Sequence, residues 1–295
     1  MAKPFVNPFV SGQFLELRVD ALVSDGRGLG RHDGVVVLVE DALPGQLVRA
    51  RVDAVRKSLA EAALVEVLER SPDEQEPPCP HAGRCGGCSW QSLAYGRQLA
   101  WKERIVHDAL ERVGKVACPP MLPILPSPSE WGYRNKMEFA FGVSGDGGKA
   151  LGLRERGSRN IVGVTGCLLQ TPLTMRVLEA VRMLSNGAFH DLDGRFLVVR
   201  EPNAGGCFVE LIVGAGGSLE AGERFAEALR AETPEVTGFA LSERLAPSDV
   251  AYGERALYAD GRLEERIGDV RLQMGHNAFF QVNTPAAELL YAEGA

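Results

Sequence analysis

Phe14-Leu15-Glu16-Leu17-Arg18-Val19 alternates apolar and polar side chains from Leu15 onward. A period of two belongs to a strand with one face buried. The pattern recurs outward from there. Val35-Val36-Val37-Leu38-Val39 is a β-branched run, Leu47-Val48-Arg49-Ala50-Arg51-Val52 alternates again, and Ala63 to Leu68 offers a further strand. Ser24-Asp25-Gly26, Asp33-Gly34 and Pro44-Gly45 are turn signals between them. Several short strands at regular spacing predict a small barrel of the oligonucleotide-binding type over residues 10–70.

Gly26-Arg27-Gly28-Leu29-Gly30 invites comparison with a nucleotide-binding loop. A dinucleotide fingerprint needs a third glycine where Arg31 stands, and then a helix. The β-branched run follows instead, so the glycines are expected to form a tight connection between strands, with Arg27, Arg31 and His32 at the surface.

Beyond the barrel, residues 71–78 (Ser-Pro-Asp-Glu-Gln-Glu-Pro-Pro) read as a boundary. Tyr95 to Val113 carries Leu99, Ile105, Val106, Leu110 and Val113 on one stripe, an amphipathic helix ended by Gly114. Prolines at 119, 120, 123, 126 and 128 make a stiff crossover. From Tyr133 to about Gln273 strand-like runs (Phe196–Arg200, Phe208–Val213) alternate with helical ones (Leu173–Leu184, Leu219–Leu229), which is an α/β pattern. Thr284-Pro285 is read as a helix start, by cap and first-turn proline, for a helix over Pro285–Ala292.

No run of about 18 apolar residues exists to cross a membrane. Met1 to Val10 does not have the make-up of a signal peptide, so a cytoplasmic protein is expected. The net charge is −7, which argues against indiscriminate binding of nucleic acid. Residues 97–160 nevertheless carry eleven Lys/Arg against seven Asp/Glu, while residues 161–295 carry eleven against nineteen. A basic middle in an acidic protein can steer a polyanion to one face; such an imbalance also arises on ordinary solvated surfaces.

Three of the six cysteines fall in Cys79-Pro80-His81-Ala82-Gly83-Arg84-Cys85-Gly86-Gly87-Cys88, a C-x5-C-x2-C spacing. In a cytoplasmic chain this suggests metal or redox chemistry more than disulfides. Zinc and iron–sulfur sites both usually take four ligands. The fourth candidates are Cys118 before two prolines, Cys207 at the start of an apolar strand, and Cys167 in a bend after a strand, the best placed to present a thiolate. His81 is an alternative ligand for zinc.

Four features together resemble a known family, the RNA (uracil-5)-methyltransferases with an N-terminal TRAM domain and a [4Fe-4S] cluster. They are the barrel segment with Gly26–Gly30 and Leu43-Pro44-Gly45; Cys79-Pro80, Cys85-Gly86-Gly87-Cys88 and Gln91, followed by Tyr95 and Gln98; Tyr133-Arg134-Asn135-Lys136-Met137-Glu138-Phe139; and Phe279-Phe280-Gln281-Val282-Asn283. The resemblance implies that Cys79, Cys85, Cys88 and Cys167 bind the cluster as a structural element. It implies that Arg134 and Lys136 meet RNA, and that Gln281 contacts S-adenosyl-L-methionine. Arg can grip phosphate or stack on a base and Lys adds a point charge, although both would also suit a surface beside the strand Met137–Phe141.

The implied fold is α+β and α/β: a TRAM barrel over 10–70, an iron–sulfur-bearing central α/β domain over 71–94 and 115–275, and two pieces of a Rossmann-like methyltransferase domain, 95–114 and 276–295. The implied function is C5-methylation of a uridine in RNA, expected to be 23S ribosomal RNA, through cysteine attack on C6. The family's glycine-rich loop, nucleophilic cysteine and base lie beyond Gln281-Val282-Asn283, so the chain is expected to be a truncated, inactive N-terminal part with no catalytic residue of its own. A monomer is expected for the full-length protein. The alternative is a standalone RNA-binding module with a structural cluster. A radical S-adenosylmethionine enzyme fits poorly, because its C-x3-C-x2-C spacing and domain order both differ.

Overall fold

The computed structural model describes residues 7–214, 217–247 and 249–294. The first six residues, read above for a leader, lie outside that range. The chain divides into two compact units: the chain to Gly83 with Cys88–Pro126, and Arg84–Gly87 with the chain from Ser127 onward. The 95–114 segment thus counts with the barrel's unit, and 276–294 with the second.

The first unit is built on a closed barrel of β1 (Phe14–Leu22), β2 (Gly28–His32), β3 (Val35–Glu40), β4 (Leu47–Val55) and β5 (Leu59–Glu69), in the order β1-β2-β3-β5-β4. The alternation of β1 puts Leu15, Leu17 and Val19 inside with Val37, Val39, Val48, Ala50, Val52, Ala60 and Ala62. β1 and β4 close the ring antiparallel, from Phe14↔Arg51 to Arg18↔Leu47, and β3 and β5 pair in parallel.

The glycine segment is a correction to the expected loop. Gly28–His32 is itself a strand, paired with β1 and with β3. Gly26, at φ 95°, does turn the chain between β1 and β2, whereas Gly28 and Gly30 serve close backbone approach: a Cβ on Gly30 would stand 2.4 Å from the Arg18 carbonyl oxygen, and one on Gly28 2.7 Å from that of Ala42.

The expected helix begins at Tyr95 as α1 (Tyr95–Asp108) and continues as a π-helical turn over Ala109–Val113, where Gly114 N–H donates to the Ala109 carbonyl at 2.8 Å. No residue of α1 is buried. Trp101 and Ile105 pack half-buried against Leu22, Leu43 and Leu93, while Val106 and Val113 of the same stripe are exposed.

The second unit is a seven-stranded sheet in the order β12-β11-β10-β9-β6-β7-β8. Its strands are β6 (Lys136–Val143), β7 (Lys149–Arg154), β8 (Ile161–Val162), β9 (Gly194–Arg200), β10 (Cys207–Val213), β11 (Val236–Glu243) and β12 (Arg255–Asp260). β10 and β11 run parallel; the other neighbours are antiparallel.

Helices α2 (Pro172–Asn186) and α3 (Leu219–Glu232) cover one face. α2 starts where the Thr171 hydroxyl accepts from Thr174 N–H, with proline in the first turn, and buries Thr174, Val177, Leu178, Val181 and Leu184 at helical spacing. Ser218 caps α3 in the same way, above Phe225, Ala226 and Leu229. These residues meet Phe139, Leu197, Val199, Val209, Leu211, Phe239 and Leu241 of the sheet in one core. A small hairpin, β13 (Leu263–Ile267) and β14 (Val270–Met274), and helix α4 (Thr284–Gly294) complete the unit. Among the described residues no helix is long and apolar enough to cross a membrane.

Candidate functional site

The second face of the sheet buries charged and polar side chains. Register places Glu210 opposite Val198 and Phe208 opposite Arg200, so all four share the face that α2 and α3 leave open. Arg200 is 6% exposed and Glu210 2% exposed. Burial pushes the Arg200 guanidinium below its ordinary value, while Glu210 and Glu138 pull it back. Ser242 Oγ donates to Glu210 at 2.6 Å, His276 Nε2 stands 3.8 Å from the same carboxylate, and the His276 ring stacks on Phe208.

Arg200, Glu210 and Phe208 meet the strip from Gly275 to Thr284, which bears Gln281, the residue that the resemblance associates with S-adenosylmethionine. The strip has no regular structure before α4, so its backbone groups must find partners elsewhere. Arg200 Nη2 donates to the Ala278 carbonyl at 2.6 Å. Asn135 N–H donates to the Val282 carbonyl at 2.8 Å and its side-chain Nδ2 to the Gln281 carbonyl at 2.9 Å. Asn283 Nδ2 reaches Ser127 Oγ at 3.0 Å. With the carbonyls tied down, the Gln281 side chain is exposed and Phe279 is 84% exposed.

The cap of α4 differs from expectation by one residue. Asn283 Oδ1 accepts from Ala286 N–H at 3.1 Å, and Thr284 is the first helical residue. The Thr284 hydroxyl is committed elsewhere: it accepts from Asn135 Nδ2 at 2.8 Å and donates to Glu265 at 3.4 Å. Glu265, 1% exposed, also accepts from Asn203 N–H at 2.8 Å and from Arg266 N–H at 3.1 Å. A buried carboxylate is costly unless its oxygens are satisfied, and these donors satisfy it.

Arg134 and Lys136 are half-buried at the start of β6. Arg134 Nε donates to the Lys136 carbonyl at 3.0 Å, and Lys136 Nζ pairs with Glu138 at 2.5 Å. In the first unit a groove between β1–β2 and α1 is lined by Arg31, Trp101, Arg104, Ile105 and Arg112 together with Asp20 and Asp108, and Asp108 pairs with both Arg104 and Arg112.

Comparison with known proteins agrees with the barrel: a TRAM domain model matches residues 8–65. A relative from Nitratidesulfovibrio vulgaris, named as an uncharacterized RNA methyltransferase, is 46% identical over 97% of this chain and 64% of its own length. One from Synechocystis, with the same name, is 32% identical over 95% of this chain and 62% of its own. This chain is similar to both over nearly all of its own length.

The chain spans about 64% of the length of these RNA methyltransferase relatives. The fold agrees with that of a Pyrococcus abyssi tRNA (uracil-54, C5)-methyltransferase solved in complex with S-adenosyl-L-homocysteine, with a TM-score of 0.70 at 23% identity, over 94% of this chain and 64% of that one.

The resemblance implies a four-cysteine centre at Cys79, Cys85, Cys88 and Cys167, whose members are divided between the two compact units. Among the described residues no set of three or more His, Cys, Asp or Glu side chains is placed to hold a metal ion. Cys79 and Cys88 count with the first unit, Cys85 and Cys167 with the second. Local bonding accounts for part of the arrangement. Cys85 is bridged in antiparallel fashion to Glu155, Gly86 N–H donates to the Arg154 carbonyl at 2.9 Å, and Gly87 N–H donates to Cys85 Sγ at 3.4 Å. Cys167 packs against the main core of its unit. Thiolate donors have the softness that iron or zinc takes. Cys207 is fully buried and burial pushes its thiol up, as expected of a small apolar residue.

Sequence reasoning missed Asn135, Arg200, Glu210 and Glu265. Asn135 lay inside a quoted motif whose charged neighbours drew the attention. Glu265 had one signal, its two-residue spacing from Leu263, which places it on the buried face of β13.

Proposed function

We propose that this chain forms the RNA- and cofactor-facing part of an S-adenosylmethionine-dependent RNA (uracil-5-)-methyltransferase. The observation that carries the reading is identity of 46% across nearly the whole chain to a protein named RNA methyltransferase. S-adenosylmethionine, when bound, supplies the methyl group. Gln281 suits a contact to it, since an exposed amide on an anchored backbone can both donate to and accept from polar ligand groups without adding charge.

Arg134 and Lys136 stand at the same end of β6 and are assigned to RNA, with the barrel as a second contact. Methylation at C5 of uracil needs a thiolate that adds to C6, a base that removes the C5 proton, and a base edge drawn out of its stack. Cys207, held neutral by burial, does not suit the thiolate role. Neither the nucleophile nor the base is assigned to a residue of this chain. The [4Fe-4S] centre at Cys79, Cys85, Cys88 and Cys167 rests on spacing and resemblance alone. Iron with acid-labile sulfide in anaerobically purified protein would support it, and stoichiometric zinc without sulfide would replace it.

The test is methyl transfer by the natural full-length protein, with labelled S-adenosylmethionine and separate transcripts of 23S ribosomal RNA and of transfer RNA. Label recovered as 5-methyluridine supports the reading, and the transcript that carries it names the substrate. RNA affinity with steep salt dependence but no transfer favours the RNA-binding module instead.

A further inference from the structure

The strip that bears Gln281 has its ends and its middle held by different side chains. Arg200 holds Ala278 at one end, and Ser127 holds Asn283 at the other. The middle is held by Asn135, which meets two successive carbonyls, those of Gln281 and Val282, from a position 146 residues earlier in the chain. We infer that Asn135 is a positioning residue for Gln281. It fixes the peptide planes on either side of Val282, so that the Gln281 amide is presented outward in one orientation. The ligand side of this inference rests on the assignment of Gln281 to S-adenosylmethionine; the positioning itself does not.

Asn135 is itself anchored. Its carbonyl accepts from Glu201 N–H at 2.8 Å, and β6 begins at the next residue with Lys136 opposite Arg200. The amide nitrogen, turned toward the Gln281 carbonyl, is held there by the Thr284 hydroxyl at 2.8 Å and by Glu265 at 3.4 Å. The buried carboxylate has no use for the amide oxygen, so its presence selects the rotamer in which the nitrogen faces the strip.

An aspartate at 135 would keep the shape but lose both side-chain protons, and would set a carboxylate against Glu265 and a carbonyl. An alanine would leave the Gln281 carbonyl with no donor. In either variant the flanking anchors at Ala278 and Asn283 remain. The loss is therefore confined to orientation in the middle of the strip and leaves the sheet beneath in place.

The experiment uses the natural full-length protein with N135A, N135D, Q281A and the N135A/Q281A double variant. Two readouts are taken: amide hydrogen exchange by mass spectrometry, and S-adenosylmethionine affinity by calorimetry. The N135A and N135D variants should each raise exchange in the peptide spanning 278–284 while β9 and β10 keep the wild-type rate. N135A and Q281A should each weaken S-adenosylmethionine binding by about tenfold, the loss expected from one buried hydrogen bond. The double variant should be no weaker than either single, because both remove the same contact.

Unchanged exchange at 278–284 overturns the inference. So does a rise shared equally by β9 and β10, or full additivity in the double variant. If Q281A binds S-adenosylmethionine as the wild type does, the assignment of the cofactor to Gln281 fails, and exchange alone then decides the positioning role. Should both Asn135 variants fail to fold, T284V removes the hydroxyl on the other side of the amide and should raise exchange in the same peptide. No rise in T284V would then count against the inference.

Discussion

The two units bury different things. Inside the barrel's unit the buried side chains are almost all apolar, and among the described residues the polar exceptions are Gln46 and Ser71. The sheet's unit buries Arg200, Glu210, Glu243 and Glu265, each with at least one hydrogen-bond partner, although the buried Nε of Arg200 has none. The barrel keeps its charges outside and pairs them there: Arg18 with Glu69, Arg49 with Glu16 and Glu66, and Arg51 with Asp53. Such exposed pairs contribute about 0–1 kcal/mol each and are screened by salt. The difference teaches that the barrel is held by shape and close approach. In the sheet's unit, buried polar groups also decide how one surface strip is presented.

The comparison can be broken where each unit is strongest. Phe139 is fully buried between the sheet and its helices. Phe139→Ala should cost about 3–5 kcal/mol in urea unfolding; a cost below 1 kcal/mol would mean that the apolar core is not what holds this unit. Gly30→Ala tests the barrel. The new Cβ would meet the Arg18 carbonyl oxygen at 2.4 Å and push β1 and β2 apart, for an expected loss of about 1–3 kcal/mol by the same measurement. A neutral result would show that close backbone approach does not limit the barrel.

The smallest effect is expected at Asp260, which ties the edge of the sheet to α3. Burial raises its carboxyl, but Arg230, the Tyr258 hydroxyl and Phe239 N–H outweigh burial and hold it below its ordinary value. A depressed carboxylate stabilises the fold above its unfolded pKa of about 4, and that contribution is lost as pH falls through the folded value. Asp260→Asn should therefore lower stability at neutral pH and flatten its decline below about pH 4. Parallel acid profiles for the variant and the wild type would remove Asp260 from the account.

Much of this architecture was legible in the chain. Alternation in Phe14–Val19 and Leu47–Val52 marked strands with one buried face, and the helical spacings in Leu173–Leu184 and Leu219–Leu229 located α2 and α3. Gly28–Gly30 misled because glycine is a turn signal locally, whereas here it answers a neighbouring strand that the local sequence does not reveal. The cysteine spacing was the brightest motif, yet spacing measures only separation along the chain. Cys167 lies far from Cys85 in sequence, and the described residues form no metal-holding group.

By itself, then, the sequence determined the barrel, the main helices, several of the strands and the family resemblance, because periodicity and turn chemistry act over a few residues. Only the tertiary structure decided which residues hold the Gln281 strip. Asn135, Glu201, Glu265 and Thr284 come from four separate stretches of chain, and their hydrogen bonds exist only once the sheet brings those stretches together. A buried carboxylate finds its donors wherever folding places them, and no local period records that choice.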